Sequence, residues 1–274
     1  MNKRLLPVLL ALSGSAIAQT PSAPLMPDGS RDMYLGLGVV SAPRYAGADD
    51  RRTRPSALVQ FQWSNGVFLS GLNLGMHLSS TPGLEYGPLL SVDPGRDASG
   101  TRKLSGIGGV DLPAYGILKF NPDDIPDIGA RLTAGGFVNR YFGDGVRLTS
   151  SLLHGAGDDR RGLLWNVALQ KTFAGLPAHH HVSVTAGVTW ANRRYMQEYF
   201  GVLPSQTSAS LRTYSPSAGV RDAHVTVNWN RELSPQWLWA SQLTVARMMS
   251  EAADSPLTFR RNNLTVRTGL AYRF

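Results

Sequence analysis

Side chains in this chain alternate with a period of two, over segments long enough to cross a bilayer. In Ala57-Leu58-Val59-Gln60-Phe61-Gln62-Trp63 the odd positions are apolar or aromatic, and Gln fills two of the even ones. The pattern returns in Val182-Ser183-Val184-Thr185-Ala186-Gly187-Val188-Thr189-Trp190 and in Ala223-His224-Val225-Thr226-Val227-Asn228-Trp229-Asn230. Alternation of this kind gives a strand one apolar face and one face of Ser, Thr, Asn and Gln. The periodicity marks about twelve such segments of roughly nine to twelve residues. They begin near Met33, Ser56, Val67, Tyr86, Ala114, Ile128, Val146, Leu163, His181, Arg221, Gln236 and Asn263.

Two folds share this pattern: a soluble β-sandwich, and a membrane barrel with lipid outside and a polar lumen. Length separates them, because a tilted membrane strand needs about 9–11 residues whereas a soluble strand averages about 5–6. The ends of the strands agree. Trp63, Phe173, Trp229, Trp237, Trp239, Tyr272 and Phe274 fall near one end of their strands, and Trp165 and Trp190 near the other. Amphipathic rings collect at headgroup depth, so two such groups read as girdles. The outward basic residues Arg140, Lys171 and Arg247 also sit near strand ends, where long stems can snorkel. In the last strand, Leu264, Val266, Leu270, Tyr272 and Phe274 share one face, which resembles the assembly signal of bacterial outer-membrane barrels. The expected fold is all-β: an antiparallel transmembrane barrel of about 12 strands, within a range of about 10–14.

The N-terminus carries Lys3 and Arg4, then the apolar run Leu5 to Leu12, then Ala16-Ile17-Ala18 before Gln19. A charged region, an apolar core and an A-x-A site make a secretory signal peptide. Residues 1–18 are therefore read as the signal and 19–274 as the barrel, placing the protein in the outer membrane. The mature part holds 25 basic and 19 acidic residues. Export removes nucleic acid from the expected partners and leaves membrane lipid, lipopolysaccharide and the barrel-assembly machinery. With no cysteine, a disulfide framework, a thiolate nucleophile and thiolate-held metals are excluded.

Strand parity assigns the connections. Ser64-Asn65-Gly66, Phe142-Gly143-Asp144-Gly145, Ala174-Gly175-Leu176-Pro177 and Leu233-Ser234-Pro235 read as short periplasmic turns. Outer loops then cover 42–55, 76–85, 121–127, 154–162, 192–220 and 249–262. The long, Gly-rich connection 93–113 falls on the inner side. Its Asp93, Arg96, Asp97, Arg102, Lys103 and Asp111 offer either a partner surface or a lumen plug.

Four stretches together resemble the MltA-interacting protein (MipA/OmpV) family of Gram-negative outer-membrane proteins. They are Pro43-Arg44-Tyr45-Ala46-Gly47-Ala48-Asp49, Gly95-Arg96-Asp97, Tyr195-Met196-Gln197-Glu198-Tyr199-Phe200-Gly201-Val202 and Asp254-Ser255-Pro256, ahead of the Tyr272-Arg273-Phe274 ending. One departure lies at Ala209-Ser210-Leu211, where the family pattern is Ser-Gly-Leu. The resemblance implies a barrel and, for one branch, a scaffold joining a lytic murein transglycosylase to a penicillin-binding protein. Other members are described as porin-like or as immunogenic surface proteins.

Catalytic motifs are scarce. There is no Gly-x-Ser-x-Gly, P-loop or His-Glu-x-x-His. The triplet His179-His180-His181 has no acidic residue near it in sequence and reads as a solvated strand start. His154 precedes Asp158-Asp159-Arg160-Arg161, which reads as a charge-compensated loop rather than a hydrolytic pair. No enzyme activity and no cofactor are expected. Alternation turns Arg131, Arg147, Asp222, His224, Arg267 and Arg273 into the lumen, where Asp222 is the only opposing acid by this reading. An Arg-lined lumen that is open would favour anions, making a small-solute channel or surface receptor/adhesin the alternative to the scaffold. Deleting Phe274 is expected to lower the yield of heat-modifiable, folded protein more than deleting a loop residue does. Equal folded yields on unboiled gels would remove its assembly role.

Overall fold

The computed structural model describes residues 33–79, 81–98, 125–173, 176–207 and 211–274. The signal peptide, Arg102, Lys103, Asp111, the strand expected from Ala114, and Ala209 and Ser210 lie outside them. Twelve antiparallel strands close into one barrel in sequence order, with β1 against β12. They are β1 (Tyr34–Pro43), β2 (Arg51–Gln62), β3 (Val67–Ser70), β4 (Asn73–Met76), β5 (Leu84–Asp93) and β6 (Arg131–Phe142). The second half comprises β7 (Val146–Ala156), β8 (Gly162–Phe173), β9 (His180–Ala191), β10 (Gly219–Glu232), β11 (Trp237–Met248) and β12 (Asn262–Arg273). Among the described residues no helix is long and apolar enough to cross a membrane.

The barrel is inverted relative to a soluble protein. Leu35, Leu37, Val39, Leu132, Leu169, Val225, Leu243 and Leu270 are exposed outward, while Gln60, Asn139, Thr149, Gln170, Asn228 and Asn230 are buried inward. Closure onto β1 pairs Tyr34 with Arg273 and Ser41 with Val266. At this seam the lumenal face is stripped to Gly38 and Gly269, because a Cβ on Gly269 would lie 2.6 Å from the Gly38 Cα. At the end carrying the termini, Trp237 meets Tyr272 edge-on at 5.3 Å, and Tyr272 meets Phe274 likewise at 5.3 Å. Phe274 N–H also donates to Met33 O at 3.0 Å. The interior is packed in places, with Tyr34, Leu58, Leu238, Ala240 and Ala271 forming one apolar patch and Phe68, Leu89 and Phe137 another.

Strand number agrees with expectation, but the threading between Val67 and Ile128 is corrected. Val67–Met76 is a hairpin of two four-residue strands turning at Gly71-Leu72. Gly71, with φ of 57°, supports that turn. The extra reversal swaps the ends at which the next two connections fall. The connection between β4 and β5 lies at the end of the barrel carrying the termini, not at the outer end. The described part of 93–113 lies at the outer end, not the inner. Asp97 pairs there with Arg52 at 2.6 Å, and Arg44 Nη1 donates to Ala98 O at 2.8 Å.

The short hairpin also covers only part of the β2 edge. β1 pairs with β2 along its whole length, yet β3 pairs only with Gln60–Gln62. Among the described residues, therefore, no strand pairs with the second edge of Arg51–Leu58.

Candidate functional site

The outer loops do not stand away from the barrel; they fold over its mouth and make a core of their own. Helix α1 (Arg193–Phe200) starts at Asn192, whose side chain accepts from Tyr195 N–H, and buries Tyr195, Met196, Tyr199 and Phe200. These pack with Ile128, Ala156, Ala191, Met248 and Ala252, which arrive from β7, β9, β11 and two loops. Ala252 belongs to α2 (Ser250–Asp254). A second cluster joins Ala98, Ile125, Val202, Leu211 and Leu257, with Tyr45 and Tyr214 against it. Every outer connection except the tight 157–161 loop contributes to one cluster or the other. That loop is joined by polar contacts, with Arg131 pairing Asp158 at 2.6 Å and Glu198 accepting from Asp158 N–H.

Arg96 sits at the centre of this cap, 3% exposed. Its Nη1 donates to Tyr199 O at 2.8 Å, at the α1 C-terminus, where carbonyl ends favour a cation. Its Nε donates to Pro126 O at 3.0 Å, and its backbone bridges to Ile128. Burial lowers the Arg96 pKa, while Tyr45, Tyr199, Asp127 and Glu198 oppose that shift. Gly95 precedes it with φ of 67°, and a Cβ there would meet Ile128 O at 2.2 Å, so glycine is required.

The tyrosines extend the network. Tyr195 and Tyr199 stack at 4.1 Å. Tyr199 donates to Asp93 at 2.6 Å, and Arg221 donates to the Tyr195 hydroxyl at 3.0 Å. Burial pushes Tyr195 up to about 12, against the pull of Arg221, and raises Tyr45 and Tyr199 as well. Ser255 Oγ donates to Phe200 O at 2.6 Å, and Gly47 N–H donates to Asn263 at 3.1 Å. Asp254 pairs with Arg261 at 2.7 Å, and Arg44 with Asp50. Thus the motif residues Pro43, Arg44, Tyr45, Gly47, Gly95, Arg96, Tyr195, Met196, Tyr199, Phe200, Gly201, Asp254, Ser255 and Pro256, scattered in sequence, meet at one end of the barrel. Their chemistry is cross-linking, by burial and hydrogen bonds. Tyr272 and Phe274 lie at the opposite end.

The lumen candidates are dispersed. Arg131 is held at the outer rim by Asp158. Arg147, low on β7, bonds the Tyr141 hydroxyl at 3.3 Å and also Gln170. Asp222 pairs with Arg221 at 2.6 Å and with His224 at 3.0 Å, beside the register shift in β10. Arg273 lies at the inner rim, 4.0 Å from Glu232. Arg267 is inward and exposed.

Two sequence readings change here, and the reading of His154 stands. Asp222 is not the only inward acid: Glu85 accepts from the Tyr141 hydroxyl at 3.1 Å, and Glu232 also faces in. The histidine triplet does have an acidic neighbour, with His179 at 3.3 Å and His181 at 3.4 Å from Glu232. Strand pairing across β9 and β10 brings it there from about fifty residues away. His154 points outward from β7, away from Asp158, so those two are not brought together. Sequence reasoning missed α1, whose signals were Asn192 as N-cap and apolar residues at i, i+1, i+4 and i+5. It also missed Arg54 and Arg221.

A closed antiparallel barrel with an apolar outer surface, aromatic girdles and a packed outer cap is an outer-membrane β-barrel protein. More particularly, the chain belongs to the MltA-interacting protein MipA family, whose profile matches residues 35–274. No curated protein sequence matches it. Among solved structures it is similar to the NanC porin, at 8% identity over 87% of this chain and 100% of that one, with a TM-score of 0.46. The KdgM porin aligns at 9% identity over 89% and 99% of the two chains, TM-score 0.41. The outer membrane protein OprG from Pseudomonas aeruginosa aligns at 10% identity over 89% and 96%, TM-score 0.28.

Replacing Arg96 by Met strips two carbonyls of their buried donor and is expected to weaken the cap by about 2–4 kcal/mol. Limited proteolysis should then cut the outer loops, while heat-modifiable migration of the barrel persists. Burial also raises Glu198, with Asp158 and Asp159 adding to the shift and the Asp158 amide opposing it. A carboxyl raised on folding holds its proton more tightly in the packed cap than in an opened one. Its stabilising contribution is complete at acidic pH and is lost as pH rises through the raised value. Amide-exchange protection of α1 should therefore be greater at about pH 5 than at about pH 8, and Glu198→Gln should flatten that dependence.

Proposed function

We propose that this barrel is a non-enzymatic scaffold that holds peptidoglycan-remodelling enzymes, a lytic transglycosylase and a penicillin-binding protein, at the inner face of the outer membrane. The description of its family as MltA-interacting supports the first partner. The observation that carries the reading is the division of labour between the two ends. The outer loops place many of their apolar side chains in cores of their own, leaving Leu203, Met249 and Phe259 exposed. At the other end Leu176 and Leu233 remain exposed on turns beyond β8 and β10. A partner confined to the periplasm can reach only that end. Residues 94–98, now placed at the outer mouth, leave the docking surface, which narrows to the inner turns.

The experiment is an affinity pull-down of the full chain from detergent-solubilised membranes. Replacing 176–179 together with 233–236 by Gly/Ser turns of the same length should cut recovery of murein hydrolase or synthase at least tenfold while leaving heat-modifiable folding intact. Undiminished recovery after replacement of these and the other inner turns would overturn the scaffold reading.

A further inference from the structure

The inward arginines are not alike. Arg52 has Asp97, Arg131 has Asp158, Arg221 has Asp222, and Arg273 lies near Glu232. Arg147 is buried against Gln170 and Tyr141. Arg54 and Arg267 differ: both face inward, both are exposed, and among the described residues neither has a hydrogen-bond or ion-pair partner. They are also neighbours. Val40 of β1 is the register partner of Arg54 on one side and of Arg267 on the other. Two strand spacings separate their backbones by roughly 10 Å, within which two guanidiniums can converge on one group. The charge that bears on the Arg267 guanidinium is that of Arg54, a like charge.

Among the described residues the surroundings leave this pair exposed and without a counter-charge. The row of inward residues below it is Ser56, Gly38, Gly269 and Ala240, all small. The opposite wall is filled by buried Phe137, Thr149, Arg147 and Gln170. Nearby carboxylates are already engaged, Asp97 by Arg52 and Asp50 by Arg44. Arg54 also lies on the stretch of β2 whose second edge pairs with no strand among the described residues.

We propose that Arg54 and Arg267 form a lumenal binding site for an oxyanion, a phosphate or carboxylate group gripped from both sides. Guanidinium forks match such groups bidentately, and paired like charges on a partly desolvated wall are stabilised by binding one. The site is independent of the scaffold reading, since it lies in the lumen and not on the inner turns. Its occupant has two sources: a solute in the lumen, or the phosphate headgroup of an outer-leaflet lipid.

Two arms separate them. In neutral detergent, inorganic phosphate is titrated calorimetrically into the full, heat-modifiable barrel. In parallel, the barrel is extracted from zwitterionic vesicles made with and without lipid A, and retained lipid A is counted. Arg54→Gln or Arg267→Gln is expected to weaken phosphate binding at least about tenfold, and the double variant to abolish it, while Arg140→Gln on the outer face changes nothing. Phosphate binding in detergent assigns a soluble anion. Lipid A retention that the variants lose, without phosphate binding, assigns the headgroup. If a glutamine variant fails to assemble, Arg54→Lys and Arg267→Lys keep the charge without the fork and should weaken whichever ligand binds several-fold. Absence of both ligands from the wild-type barrel, or binding retained by the double glutamine variant or unchanged in the lysine variants, overturns the site.

Discussion

A strand in hydrocarbon has nowhere to place its backbone N–H and C=O groups except on the next strand, and the ring must close or leave an edge facing lipid. Much else in this molecule answers to that requirement. It turns apolar side chains outward and polar ones inward. It demands the β1–β12 seam, where Gly38 and Gly269 let two backbones approach. It makes the short β3–β4 hairpin conspicuous, because the outer part of the β2 edge has no strand beside it among the described residues. Polar groups at such an edge, and the guanidinium of Arg54 next to it, need partners from elsewhere.

A barrel satisfied in its own backbone puts few constraints on its loops, and here the loops use that freedom to build a second folding unit. The cap obeys the rules of a soluble core, with apolar side chains inside and hydrogen bonds linking its buried polar groups. Arg96 is the extreme case, a guanidinium taken from water and compensated by carbonyls at a helix C-terminus and a neighbouring loop. Its donors tie the 94–98 segment to the α1 C-terminus and to Pro126, so a methionine of similar reach would leave those carbonyls unsatisfied. The two halves of the molecule therefore have separable stabilities, one set by the bilayer and one by packing and charge.

That separation frames function. The described outer loops pack on one another over the barrel end, with Leu203 and Phe259 left exposed, and the inner turns carry exposed Leu176 and Leu233. The lumen between them is uneven, packed on the β6–β8 wall and low on β1, β2, β11 and β12, with two arginines above that second patch that stand without counter-charge among the described residues.

How much of this was legible depends on the range of each interaction. Alternation, strand length, girdles at Trp237 and Tyr272 and the inward turn of Arg267 are local properties, written within a dozen residues, and the sequence by itself determined them. It also marked the cap residues as a family pattern, though not why they belong together. What the tertiary structure alone decided were matters of pairing. A strand reversal at Gly71-Leu72 costs only one turn, yet it exchanges the ends for the chain up to the next odd reversal, so parity counting placed the described residues 93–98 at the wrong end. The approach of Glu232 to His179, of Asp93 to Tyr199 and of Arg54 to Arg267 spans scores to hundreds of residues. Such contacts are set by barrel register, a cooperative property of all twelve strands that no local window of sequence contains.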